Sequence, residues 1–180
     1  MKTFKLFPAW AYEEEERWLN SMAQQGWQFQ SYTAFQYHFD RGEPGTWQYA
    51  LELLPYWPGS QAERSYLEFL EGSGIQLVDR YLLWGYFRRK DDGTPFETFS
   101  DLDGRLLHLN RVLVLMAVAL VFLLYSATNF LPLIGSGRGG WGTGVLILLL
   151  YALPLLWLGG GLRALWTKRR AWLRERGIRE

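Results

Sequence analysis

Cysteine does not occur in this 180-residue sequence. Its absence excludes disulfides, thiolate nucleophiles and the usual zinc and iron–sulfur sites, and it fits a reducing compartment. Histidine is scarce. His38 and His108 are the only two, far apart in the chain, so neither metal ligation nor general-base chemistry is expected of them. There is no Gly-x-x-x-x-Gly-Lys-Ser/Thr phosphate loop and no Gly-x-Ser-x-Gly elbow. Asp101 and Asp103 stand two apart, which on a helix turns their carboxylates in different directions. Helix capping accounts for them better than paired acid–base work. No cofactor and no metal site is therefore expected, and the reading is non-enzymatic. A strong single-sign charge is missing too. The net charge is +1, and residues 1–105 hold 16 acidic against 10 basic side chains. No nucleic-acid surface is expected of that part.

Charge is absent altogether from two long stretches, Val112–Ile134 and Gly139–Leu162. Each, as a helix, exceeds the roughly 30 Å of a bilayer's hydrocarbon core at ~1.5 Å per residue. The heart of the first, Val112–Tyr125, has no polar face. The second contains Pro154, which should bend it. Gly135–Gly142 between them is long enough only for a tight turn. The spacing predicts a two-helix transmembrane hairpin. Neither run holds an ionisable side chain, which argues against an ion or proton pathway. Asn129, the one strongly polar group inside, is expected to bond across the hairpin or to the interface.

The flanks set an orientation. Arg163, Lys168, Arg169, Arg170, Arg174, Arg176 and Arg179 follow the second run, against Glu175 and Glu180; the turn between the runs has Arg138 only. Basic residues stay on the cytoplasmic side, so both termini are expected there, in a multi-pass protein of the cell membrane. Trp141, Trp166, Lys168, Arg169 and Arg170 are the expected membrane-interface anchors. Met1–Lys5 is followed by charge, so no signal peptide is expected. The basic tail, with Trp166 and Trp172 at helical spacing, suits either anionic lipid or the acidic N-terminal part.

Residues 1–100 read as a cytoplasmic α+β domain. Thr3–Phe7 alternates as a strand that Pro8 ends. Tyr12–Gln25 reads as a helix lined by Trp18, Leu19, Met22 and Ala23, with Glu13–Glu16 in its first turn and Gly26 as its left-handed stop. Trp27–Tyr32, Phe35–Asp40 and Thr46–Leu54 alternate apolar and polar, as half-buried antiparallel strands do. Ser60 and Glu63 frame a capping box for a helix to Gly72. Ile75–Arg80 and Leu82–Arg88 read as two more strands, Phe96–Phe99 as an extended piece, and Ser100 as the cap of a helix that runs into the first apolar stretch. The order predicts a ferredoxin-like antiparallel sheet with two helices on one face. Beyond the first apolar helix (101–134) come a short external turn (135–142), a second transmembrane helix (143–166) and a basic tail (167–180). No solenoid-type repeat is expected.

Five stretches together resemble an uncharacterised bacterial family: Glu14–Trp27, Gly42–Gly45 with Trp47 and Tyr49, Phe69–Gly74, Trp84–Lys90 and Pro95–Asp101. It is known only as a domain of unknown function. Its members pair a small N-terminal domain with membrane spans and are often encoded beside PadR-type transcriptional regulators. The resemblance covers roughly residues 1 to 110. It implies a regulatory setting and brings no catalytic or binding residue.

The expected function is a membrane-anchored cytoplasmic binding or regulatory module. Its partners are the lipid bilayer and an unknown protein, and a homo-oligomer is allowed. The polar parity of the sheet, Gln28, Gln30, Gln36, His38, Gln48 and Glu52, is the expected partner-binding face. An accessory subunit of a larger membrane complex is the alternative. The high aromatic content, 10 Trp, 10 Tyr and 11 Phe, is expected to fill a thin core rather than cage a ligand.

Overall fold

A computed structural model describes residues 1–96, 102–135 and 140–179. They form two compact units, Met1–His108 and Leu109–Glu180. The first unit contains β1 (Lys2–Phe4), α1 (Tyr12–Gln24), β2 (Trp27–Thr33), β3 (Gln36–Arg41), β4 (Trp47–Leu53), α2 (Gln61–Gly72), β5 (Gln76–Tyr81) and β6 (Trp84–Lys90). Two long helices follow, α3 (Leu102–Gly135) and α4 (Gly140–Arg179).

The α+β class is as expected, but the single ferredoxin-like sheet is not. There are two three-stranded antiparallel sheets, ordered β1-β3-β2 and β4-β6-β5. The reason lies in the amides along the free edge of β2. Phe29 N–H donates to the Tyr49 hydroxyl at 3.0 Å, and Tyr32 N–H donates to Asp79 Oδ2 at 2.6 Å. Side chains of the second sheet take the donors that a neighbouring strand would have used, so no ladder joins β2 to β5.

Each sheet is one strand–helix–strand–strand repeat. The kinship is visible in the residues: Lys5-Leu-Phe-Pro-Ala-Trp10 matches Glu52-Leu-Leu-Pro-Tyr-Trp57, and Glu15, Leu19, Gly26, Gln28, Phe39, Arg41, Gly45 and Thr46 recur as Glu63, Leu67, Gly74, Gln76, Phe87, Arg89, Gly93 and Thr94. The backbone agrees. Bulges follow Phe29 and Leu77, left-handed glycines Gly26 and Gly74 end the helices, and each hairpin turn opens on a residue with positive φ, Ala34 or Leu82.

The two helices do not share a face. Leu19 and Ala23 of α1 join Phe29, Tyr37, Phe39, Tyr49, Leu51 and Tyr86 in one aromatic core that both sheets line. Leu70 of α2 packs with Leu54 and Phe87 in a second core. Tyr86 and Phe87 are adjacent on β6, so the two cores lie on opposite faces of that sheet. Ring pairs bind the first core, among them Trp18–Tyr37 at 4.7 Å and Phe29–Tyr86 at 5.0 Å between centroids.

Local signals fall close to expectation. Ser60 caps α2 by accepting from Glu63 N–H at 3.2 Å, but the reciprocal arm differs: Glu63 Oε2 accepts from Gly59 N–H at 2.5 Å. Leu82 and Leu83 form the β5–β6 turn instead of opening a strand. Of the expected extended piece Phe96–Phe99, all but Phe96 lies outside the described residues, as does the Ser100 cap.

In the second unit α3 and α4 run antiparallel. Leu123 and Ala127 of α3 pack on Ile147 and Tyr151 of α4, and Arg169 Nε donates to Asn110 Oδ1 at 2.8 Å. Low and high numbers thus meet in reverse order. Among the described side chains Asn129 has no partner across the pair. Its amide donates to the Tyr125 carbonyl one turn back, at 3.0 Å. Pro154 sits inside α4, which continues without a break from Gly140 to Arg179.

Candidate functional site

The six residues expected on one polar face divide between surface and interior. Gln30 is exposed and Gln36 and His38 are half-buried on the first sheet, where His38 Nε2 stands 3.1 Å from Gln36 Oε1. Lys2 of β1 is the register partner of His38. Gln48 is half-buried, donating to Asp91 Oδ1 at 2.8 Å and accepting from Arg89 at 3.4 Å. Gln28 and Glu52 are buried. Gln28 donates to the Glu43 carbonyl at 2.8 Å and accepts from the Tyr49 hydroxyl at 3.2 Å. Glu52 accepts from the Tyr66 hydroxyl at 2.7 Å, on the side that α2 covers. Period-two alternation reports two sides of a strand but does not say which is wet, and β4 is covered on both.

Three polar arrangements stand out, and the first two escaped the sequence reading. The first centres on Glu15, inside the shared core. Its Oε1 accepts from the Tyr37 hydroxyl at 2.7 Å and from the Tyr86 hydroxyl at 2.8 Å. One phenol comes from each sheet, so a single carboxylate oxygen ties the repeats together. Burial pushes the Glu15 carboxyl above its ordinary value, and the two phenol donors partly hold it back. Burial, then the Glu15 charge, push the Tyr37 and Tyr86 phenols far up. Such phenols act as donors at neutral pH, not as bases or nucleophiles. The repeat is the one sequence signal at this position, since Glu15 recurs as Glu63, and both are buried. Glu63 is partnered differently, by an ion pair with Arg80.

The second arrangement closes the outer edge of β4. Asn20 behaves as a strand residue would: its amide nitrogen donates to the Tyr49 carbonyl and its oxygen accepts from Tyr49 N–H, both at 2.8 Å. One turn earlier on α1, Glu16 Oε1 accepts from Leu51 N–H at 2.7 Å. His108 Nε2 accepts from Leu53 N–H at 2.9 Å. Alternate amides of an edge strand fall about 6.8 Å apart, close to one helical turn, so a helix alongside can cap them in step. An open edge invites pairing with another chain, and this row forecloses it.

The third is a set of cations over indoles. The Arg41 and Arg88 guanidinium carbons lie 4.0 and 4.2 Å from the Trp27 and Trp47 ring centroids. On α4, Arg169 and Arg170 lie 5.5 and 5.7 Å from the exposed Trp166 ring, and Lys168 lies 4.8 Å from Trp172. The side chain of Trp141, the other expected anchor, lies outside the described ones. Among the described residues no group of three or more His, Asp or Glu could hold a metal ion.

Two strand–helix–strand–strand repeats followed in the chain by two long apolar helices make this an α+β unit joined to a helical pair. The profile of the family "Protein of unknown function (DUF2812)" matches residues 11–122, from the start of α1 into the apolar part of α3. The chain belongs to that family. No curated protein and no solved structure matches.

Proposed function

We propose that this protein is a non-enzymatic, membrane-anchored binding module with a regulatory role, in keeping with the PadR-type setting of the family it resembles. α3 and α4 cross the bilayer as a hairpin, and the Met1–His108 unit and both termini stay in the cytoplasm. One observation carries the reading. Both helices are long and apolar enough to cross a membrane, yet only 28% and 17% of their most apolar windows is buried. The core helix of a soluble protein buries such a stretch; here Val118, Val121, Phe122, Leu146, Leu150 and Leu156 point outward. The excess of basic residues after Leu162 supports the orientation. The face around Gln30, Gln36 and His38 is the proposed partner surface.

Fractionation of untagged protein tests the anchor: it should pellet with membranes, resist alkaline carbonate and enter solution only with detergent. Protease added outside intact cells should spare the N-terminal unit. Recovery of the protein in the soluble fraction, or external cleavage of that unit, would overturn the reading.

A further inference from the structure

The turns of the Met1–His108 unit gather at two ends of opposite character. One end is polar. Gly26, Gly42, Gly45 and Asp91 meet there, through Gly42 N–H to the Gly26 carbonyl and Asp91 N–H to the Thr46 carbonyl, both 3.0 Å. Glu43 and Asp92 lie exposed beside them. At the other end the last residues of β2 and β5 stand side by side, the Tyr32 and Tyr81 rings 4.8 Å apart. Lys5 N–H donates to the Phe35 carbonyl at 3.1 Å, and Leu54 N–H to the Leu83 carbonyl at 2.8 Å. Arg80 reaches the Tyr56 carbonyl at 3.3 Å. Both hairpin turns and the segments that leave β1 and β4 therefore share this second end.

That end is apolar and open. Trp57 is 79% exposed, Phe4 74% and Leu82 73%, and Leu6 and Phe35 are more than half exposed. Two of the five also sit in strained backbone, Phe35 at φ 70° and Leu82 at φ 56°. Left-handed conformation is strained for a residue that carries a Cβ. Glycine would remove that strain and the exposed apolar surface together. A fold that keeps both at two tips keeps them for something outside itself.

α3 identifies the occupant. Its early turns dock at this same end: the His108 ring lies 4.9 Å from Tyr12 and 5.9 Å from Trp84, and it accepts from Leu53, the register partner of Trp84. Val112 begins the uncharged run four residues later, roughly 6 Å along the helix. A bilayer that α3 enters at Val112 must start within about that distance of His108, at the end that carries the open tips. We propose that this end of the unit is seated in the interfacial layer of the phospholipid bilayer, with Phe35, Trp57 and Leu82 inserted among headgroups and upper acyl chains. Exposed Lys5 separates Phe4 from Leu6, its ammonium 4.8 and 4.7 Å from the Phe7 and Trp18 ring centroids. The proposal rests on the membrane-spanning reading above.

The cysteine-free chain allows a direct test. Single substitutions Phe35→Cys, Leu82→Cys, Asp92→Cys and Val121→Cys in the full-length protein are spin-labelled and reconstituted at high dilution into phosphatidylcholine–phosphatidylglycerol vesicles. Collisions with oxygen and with a water-soluble nickel chelate then report depth. The label at 121 should sit in hydrocarbon and the label at 92 in water. Labels at 35 and 82 should lie on the order of 5 Å inside the headgroup boundary, as apolar faces of interfacial elements do, with nickel collisions several-fold below those at 92. Nickel access at 35 and 82 equal to that at 92, with 121 in hydrocarbon, overturns the interfacial seat and leaves the anchor standing. Nickel access at 121 overturns both. Protection at 35 and 82 that appears only when chains are crowded, with spin–spin broadening, assigns the tips to a second copy and overturns the lipid seat.

Discussion

Tyr37→Phe and Tyr86→Phe each delete one donor to the same oxygen, Glu15 Oε1, now at 2.7 and 2.8 Å. A hydrogen bond to a charged group is worth about 1.5–3 kcal/mol, so each single variant should lose about 2 kcal/mol. Simple addition would give the double variant about 3–6 kcal/mol. A carboxyl can instead take a proton. Holding an ordinary glutamate neutral at pH 7 costs close to 4 kcal/mol, from ~2.7 pKa units at ~1.4 kcal/mol each. The double variant should therefore level off near ~4 kcal/mol, with Glu15 protonated. This fixes the sign of its pH dependence. A folded-state value raised above the unfolded one means the native state binds the extra proton. Stability then rises as pH falls toward the ordinary carboxylate range and is lost as pH climbs through the raised value. Wild type shares the direction, because burial raises Glu15; the double variant should show it more steeply. Urea unfolding of the full chain in mild detergent, followed by near-ultraviolet circular dichroism at several pH values, measures both quantities. Single losses below about 0.5 kcal/mol, or a double variant that gains nothing between neutral and mildly acidic pH, would refute an ionised Glu15 held by two phenols.

Three further outcomes follow from other contacts. Asn20→Ala unpairs both the N–H and the carbonyl of Tyr49; it should lose about 1–3 kcal/mol and speed hydrogen exchange of the Tyr49 amide well before that of Phe87. Gly85→Ala would place a Cβ 2.7 Å from the fully buried Phe87 ring and 3.2 Å from Leu54, so thermal unfolding should report a loss of about 1–3 kcal/mol from overpacking. Leu82→Gly relieves a left-handed leucine and should raise stability by up to ~1 kcal/mol, while weakening contact of that tip with vesicles.

Sequence alone determined the elements and the two uncharged runs. Period-two alternation marked β2, β3 and β4, the Ser60 box marked α2, and Gly26 marked the end of α1, because each is a local signal acting over a few residues. Length and missing charge did the same for α3 and α4. The repeat was also legible, in Pro-Ala-Trp10 against Pro-Tyr-Trp57 and Glu15 against Glu63, but it asks for comparison across the whole first unit rather than along a window. Leu82 and Leu83 misled because apolar residues at a turn look like strand, and only the left-handed φ of Leu82 reveals the tip. Tertiary structure decided the rest. Whether β2 pairs with β5 depends on where the Tyr49 hydroxyl and the Asp79 carboxylate arrive. Which parity is wet depends on α2 lying on the Phe87 face and α1 on the Tyr86 face. A buried glutamate and an exposed one are the same letter. Only packing distant segments together settles which carboxylate loses its water and which donors replace it.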